Sequence, residues 1–469
     1  MFFPETIEGE WWLPEIPERR LRGTLVLSEH EFALHVEGVL LQHRVEPGQS
    51  YPIAEWVEIP VVYGTSRDAP VTLLAAAGIS WYLAGTSATE VWHVGVGLVG
   101  ALVDSETTYV TMTLSTEHLD DFVGTPSPEL KTTNDDDGEL QSIELRASQY
   151  SIASGVVHDV GRVEIGVEPT FHSGQSSVEL GLQARMTMEF LNPVGHDAAL
   201  TTAGTLAALS RIATCCECAI TSLTLVPAGL EDAQVRVLRH MAAVGRPTCS
   251  RQRFGRCLFS ARSLPSAEDT FNHWWNLRER HSQGWRLLTL LDDTRRVSVS
   301  ERFNIYARAL EALHQKDFGH PQVAVAERDE RVQRALEAIP DDLVDWAEPL
   351  LEASTPPVFR HRVAELVTSL GVTGVLLAGE PGKFAHAVSA TRNAVIHPEH
   401  KPSSQVLDQY WQYWVGSAMK WLGHAYLVRE LGMPEAVLAQ KLEVLPDARE
   451  VIDRMRERFA DPQQVTADA

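Results

Sequence analysis

Residues 382–400 read GKFAHAVSATRNAVIHPEH, and the way this stretch folds decides the architecture of the second half of the chain. The run reads as the last turns of a helix. Pro398 disfavours helical geometry in the residue before it, so the helix is expected to end at His397. Asn393 and His397 are four apart and share a helix face. Arg392 lies about 140° from His397 on an ideal helix, five residues at roughly 100° each. Arg392 and His397 therefore meet one ligand only if the helix ends or bends at His397, or if a second copy supplies the other half.

Working outward, the neighbouring segments share this helical grain. Upstream, VSVSERFNIYARALEALHQ (297–315) carries Phe303, Tyr306, Leu310 and Leu313 as a helical stripe opening after Ser300. The segments at 324–339, 341–353 and 359–370 follow as amphipathic helices, and those at 406–432, 434–445 and 447–461 continue the pattern. Helices joined by short connections read as a bundle. The apolar surface of YWQYWVGSAMKWLGHAYL (410–427) suits both a core and a contact with a second copy.

The first half has a different texture. RLRGTLVLSEHEFALHVEGVLL (20–41) alternates apolar and polar residues around a polar turn. WHVGVGLVGALV (92–103), YVTMTLS (109–115), RVEIGVEP (162–169) and ARMTMEFL (184–191) also read as strands of antiparallel sheets, while KTTNDDDGEL (131–140) reads as a polar loop. At 196–220, small apolar residues recur at helical spacing, with Asp197 as the expected N-cap. The fold class is α+β. A β-rich, sandwich-like part is expected over 1–265, a helical bridge over 266–297, a helical bundle over 298–460 and a disordered tail over 461–469.

Composition narrows the function. With 40 Lys+Arg against 63 Asp+Glu, the net charge is −23, so a general polyanion-coating surface is excluded and nucleic acid must be met at a local basic patch. The apolar runs at 71–85 and 91–103 are too short and too broken to span a bilayer, and the acidic, proline-containing start does not read as a signal peptide. Five cysteines fit a reducing cytoplasm. Cys215, Cys218, Cys249 and Cys257 are conceivable zinc ligands, but the second pair is eight residues apart and the first closes an apolar helix, so inert thiols are the expectation. Gly382-Lys383 is not a P-loop, because Leu377 and Phe384 stand where Gly and Ser or Thr are needed. No cofactor is expected.

Phosphodiester cleavage of RNA needs a group that moves protons at the 2′-hydroxyl and the leaving oxygen, and a cation for the charge developing on phosphate. Histidine and arginine supply these. On spacing alone, a solvated arginine and a capping histidine at a helix end account for the same residues.

RNAVIH, in a late helix of a C-terminal bundle, resembles the Arg-x4-His signature of HEPN domains in its Arg-Asn-x-x-x-His form. GEWWLPEIPERRLRGTLVLSEHEFAL (9–34) resembles the N-terminal domain of the ApeA family of bacterial anti-phage proteins. The resemblance implies a metal-independent ribonuclease, active when a phage is sensed, that halts the host cell in abortive infection. It makes Arg392 and His397 the catalytic pair, Asn393 the adjacent polar position and Glu311 an acidic residue that orients Arg392. It also implies pairing of two motif helices in a homodimer or higher even-numbered assembly.

The basic residues Arg360, Arg362, Lys383, His386, His400 and Lys401 are expected to rim an RNA groove. Transfer RNA is an expected substrate because its anticodon loop offers unstacked bases. Two other readings stand beside this one: an inactive HEPN-like binding module, and a regulator that senses a ligand through its β-rich half.

Overall fold

The computed structural model describes residues 5–28, 31–41, 55–66, 69–80, 89–125, 128–134, 140–173, 178–216, 218–230, 232–239, 257–290, 297–318, 325–353, 358–397 and 403–459. The disordered tail expected at 461–469 lies outside them. The chain divides into two compact units, Met1–Ser210 with Cys218–Arg251, and Arg211–Glu217 with Gln252–Ala469.

In the first unit the strands are β1 (Glu5–Trp12), β2 (Leu21–Leu27), β3 (Phe32–Glu37), β4 (Glu55–Ser66), β5 (Pro70–Ser80), β6 (Thr89–Val99) and β7 (Thr108–Thr116). They continue as β8 (Glu129–Asn134), β9 (Leu140–Arg146), β10 (Tyr150–Val157), β11 (Gly161–Ser173), β12 (Val178–Gly195), β13 (Ile220–Pro227) and β14 (Val235–Arg239). A short helix α1 (Leu119–Val123) follows β7, and α2 (His196–Thr214) follows β12. The helix starts at His196, which puts Asp197 in its first turn rather than at the N-cap.

The first six strands close into an antiparallel barrel in the order β1–β2–β3–β6–β5–β4 and back to β1. Trp11 stands opposite Gly64 and its ring lies where any Cβ at Gly64 would be, so the glycine makes room for a wholly buried indole. Glu90 is also buried, and its carboxylate accepts the Leu40 N–H at 2.8 Å and the Trp92 indole N–H at 3.1 Å. A buried carboxylate needs such donors.

β6 joins the barrel to a second sheet. It pairs with β5 along one edge, while β3 and β14 take successive stretches of the other. From β14 the order runs β13, β7, β12, β11, β10. Here the alternation legible in sequence holds, with Val163, Ile165 and Val167 of β11 and Ala184, Met186 and Met188 of β12 buried. The expected β-rich, antiparallel half is thus present, built as a barrel extended by a sheet. Of the segment 131–140, expected as a polar loop, Lys131, Thr132, Thr133 and Asn134 lie in β8 and Leu140 in β9, and its three aspartates lie outside the described residues.

In the second unit α3 (Ala267–Arg280) and α4 (Ser282–Leu290) lie in the segment read as a bridge. Beyond them come α5 (Val299–Asp317), α6 (Val325–Glu337), α7 (Val344–Ala353), α8 (Phe359–Ser369), α9 (Gly371–Ala378), α10 (Pro381–Ile396), α11 (Gln409–Glu430), α12 (Glu435–Val444) and α13 (Pro446–Phe459). The N-cap of α5 is Ser298 rather than Ser300. Ser298 forms a reciprocal capping box with Glu301, whose carboxylate accepts the Ser298 N–H at 3.0 Å.

The long helix α11 packs on α5 and α13, burying Val415, Ala418, Met419, Leu422 and Ala425. The apolar surface of its middle and last turns therefore belongs to the core. Asp317, at the end of α5, accepts the Tyr426 hydroxyl and faces Arg280 and the His281 Nε2, the last at 2.8 Å. Burial, reinforced by the Asp317 charge, pushes the Tyr426 phenol well above its ordinary range, and burial lowers the His281 imidazole. No helix among the described residues is long and apolar enough to cross a membrane.

Candidate active site

Three helices build the site. The motif helix α10 opens with Pro381 in its first turn and with Glu380, whose carboxylate accepts the Gly382 and Lys383 N–H groups at 2.9 and 2.7 Å. Phe384, Ala385, Ala387, Val388 and Thr391 form its buried face. It packs on α8 and α5. The helix ends at Ile396, and His397 takes the non-helical values φ −125° and ψ 70° while its N–H still bonds to the Asn393 carbonyl at 2.8 Å. The ending that Pro398 requires is therefore present. It frees the His397 ring from the 140° separation of a straight helix.

Glu311 of α5 links the other two helices. Its Oε2 accepts Arg392 Nη2 of α10 at 2.9 Å, and its Oε1 accepts Arg362 Nη1 of α8 at 3.3 Å. Phe359, also on α8, lies under the Arg392 guanidinium with its ring centroid 4.3 Å from Cζ. Arg392 is half-buried and held from two sides, and its Nε, buried, has no hydrogen-bond partner among the described residues. Two guanidiniums share the one Glu311 carboxylate.

The chain beyond the motif is tied back to it. The buried Thr391 hydroxyl accepts the Leu407 N–H at 2.9 Å. Gln412 donates to the Leu407 carbonyl at 2.8 Å and accepts from the Ser300 hydroxyl at 2.7 Å. The starts of α5 and α11 are thereby fixed beside the motif helix.

The structure thus brings Glu311 and Arg392 together and leaves Asn393 and His397 exposed at the end of α10. Arg360, Lys383 and His386 are exposed, with Arg360 beside the His361 ring at 3.4 Å. Arg362 corrects the reading of it as a rim cation. It is 7 % exposed, because it extends inward from α8 to Glu311. His400, Lys401 and Cys249 lie outside the described residues. Cys218 and Cys257 are buried and Cys215 half-buried. Among the described residues no group of three or more His, Cys, Asp or Glu side chains could hold a metal.

Sequence reasoning missed Phe359, Thr391 and the inward role of Arg362. The Arg-x-Arg spacing at 360–362 held a signal for the last, since residues two apart on a helix point to nearly opposite sides, about 200° apart.

No curated protein and no solved structure matches the chain. Two family models do. Residues 305–437 match the Apea-like HEPN model, and residues 6–274, more than half of the chain, match ApeA N-terminal domain 1. The first match spans Glu311, Arg362, Arg392 and His397, the second the barrel and its attached sheet. The chain belongs to the ApeA family, with its β-rich N-terminal domain followed by an Apea-like HEPN domain.

Proposed function

We propose that this protein is an anti-phage endoribonuclease that cuts RNA, transfer RNA among its candidate substrates, without a metal ion, and so stops growth of the infected cell. The observation that carries the proposal is the fixed Arg392 guanidinium, held by Glu311 and Phe359, on the helix that ends at the exposed His397. In this reading His397 accepts the proton of the 2′-hydroxyl, and the 2′-oxygen attacks phosphorus. The P–O5′ bond then breaks, and the leaving oxygen takes a proton from water. Arg392 neutralises the charge that grows on the non-bridging oxygens. Asn393 positions the RNA or the imidazole from the same helix face.

The proposal includes a homodimer formed through the HEPN bundle, action in the cytoplasm, and a β-rich domain that senses a phage product. The experiment that tests it is incubation of the purified protein with total RNA in EDTA. Cleavage by the wild type and none by His397→Ala supports it. Intact RNA in both samples supports the inactive binding module, for which the Arg392–Glu311 ion pair serves only to hold helices together.

A further inference from the structure

The first two turns of α11 carry four aromatic residues, and the core does not claim them all. Tyr410 and Tyr413 are 50 % and 46 % exposed, whereas Gln412, Val415 and Gly416 of the same turns are buried. The rings meet edge to face. Tyr410 and Trp411 stand 5.3 Å apart at 85°, Tyr413 and Trp414 5.0 Å apart at 82°, and Tyr410 and Trp414 6.3 Å apart at 69°. Two guanidiniums from α13 lie over the indoles, Arg454 at 5.6 Å from Trp414 and Arg458 at 5.3 Å from Trp411. Arg454 also pairs with Glu457 at 3.0 Å.

The position of this cluster matters as much as its composition. Tyr410 follows Leu407 by three residues, and the Leu407 N–H is bonded to Thr391, the neighbour of Arg392. Three residues span at most roughly 11 Å. Tyr410, which opens the exposed cluster, therefore lies within reach of the motif helix, in a chain whose net charge of −23 is otherwise hostile to RNA.

We propose that Tyr410, Trp411, Tyr413 and Trp414, with Arg454 and Arg458, form a base-stacking platform for unpaired nucleotides flanking the bond to be cut. This rests on the ribonuclease reading and gives it a substrate class: single-stranded RNA, such as loops and ends, in preference to duplex. Exposed tyrosine faces accept any base, because every base has a π-face, and guanidiniums seated on the indoles meet the backbone phosphates. A duplex hides its bases in its own stack and offers such a surface nothing to hold.

The test uses the full-length protein and a fluorescently labelled 2′-O-methyl RNA of about ten nucleotides, within the usual range of single-strand sites. This oligomer lacks the nucleophilic hydroxyl, so binding is read without cleavage. Stacking measured elsewhere is equivalent to roughly 5- to 150-fold in affinity per base. The Tyr410→Ala/Tyr413→Ala variant is expected to bind at least about tenfold more weakly. The Tyr410→Phe/Tyr413→Phe variant should bind like the wild type, and an abasic oligomer should erase the difference between variants.

Equal binding by the alanine variant and the wild type overturns the platform. So does a change in oligomer mass with binding unchanged, which would assign the rings to a contact between copies. Failure of the ribonuclease reading is seen separately. In that case an unmodified RNA stays intact while the tyrosine-dependent binding of the 2′-O-methyl oligomer persists, and the platform stands.

Discussion

Arg362 and Arg392, from two different helices, bind the two oxygens of a single carboxylate, that of Glu311. The pairing resolves a conflict built into the site. On the proposed chemistry Arg392 must be held still to meet phosphate, but the carboxylate that holds it cancels its charge. A second guanidinium on the same carboxylate divides that carboxylate between two cations, so Arg392 is held without being its only counter-ion.

The first prediction follows from that arithmetic. Arg362→Gln should leave a neutral Arg392–Glu311 pair and lower kcat/KM by roughly tenfold, the size of one modest electrostatic contact of about 1.4 kcal/mol. Adding Glu311→Gln should recover part of the loss, because the remaining Arg392 charge is then uncancelled. Steady-state kinetics on the two single variants and the double variant would show non-additive effects. Additive effects would separate Arg362 from the function of Arg392. The stability cost should be small, on the order of 1 kcal/mol, since Glu311 is partly solvated and keeps one partner.

The Thr391 hydroxyl gives a second prediction. Thr391→Val keeps the shape of a wholly buried side chain but removes the acceptor for the Leu407 N–H. Leaving a buried donor unpaired costs about 1–3 kcal/mol. Urea unfolding should show this loss. Amide exchange at Leu407 should accelerate, and cleavage should weaken as the start of α11 drifts from the motif. Thr391→Ser should behave like the wild type. A Thr391→Val protein with an unchanged unfolding midpoint would show that the tether carries no load.

How much of this was legible in sequence depended on whether a segment is buried on one face or two. The strands around Val163 and Met186 alternate, because one face is buried and the other wet, and the alternation was readable. β5 looked instead like a featureless apolar run. Val71 and Leu73 belong to one buried cluster and Leu74 to another, so both faces are covered and no period survives. Ala75, at φ 52°, drops out of the pairing with both neighbouring strands while the register carries through. The helix α9 was missed because its four opening residues, Gly371, Val372, Thr373 and Gly374, are all poor helix formers. Tertiary packing holds it, with Gly379 at φ 70° ending the helix where a Cβ would stand 2.8 Å from that of Phe459.

The placement of Arg392, Asn393 and His397 at the end of one helix was readable because they sit at fixed spacing on one element. The Glu311–Arg362 bond joins residues 51 apart in sequence. Only the packing of α8 on α5 creates it, so charge type alone placed Arg362 on the wrong side of its helix.

A third prediction concerns assembly. The HEPN unit leaves Val372 and Val375 of α9 and Val437 and Val444 of α12 exposed, on two helices that pack together. Apolar side chains left together at a surface mark a contact. Light scattering at micromolar concentration should give the mass of a dimer, and Val372→Lys/Val444→Lys should halve it. A monomer that cleaves RNA at full rate would rule out a requirement for pairing.

The last prediction concerns the chemistry at the end of α10. His397 and Asn393 are exposed and Arg392 is held at the edge of the bundle, so truncating them opens no core cavity and should cost little stability. The rate should respond strongly. His397→Ala removes proton transfer and should lower kcat by roughly 10²–10⁴-fold. Arg392→Ala removes the charge aimed at the transition state and should cost roughly 10²–10³-fold. Asn393→Ala should be milder, because the amide positions and does not react. If the 2′-hydroxyl is the nucleophile, the upstream fragment must carry a 2′,3′-cyclic phosphate or its opened form, and the downstream fragment a 5′-hydroxyl. Such ends are resistant to ligation until repaired, and end-specific sequencing distinguishes them from the 5′-phosphates left by a metal-bound water. Cleavage should persist in excess EDTA, since no step of this route uses a metal-activated water. Products bearing 5′-phosphates, activity that returns only with Mg²⁺, or full phage protection by the His397→Ala protein would reduce the motif to a capped helix end.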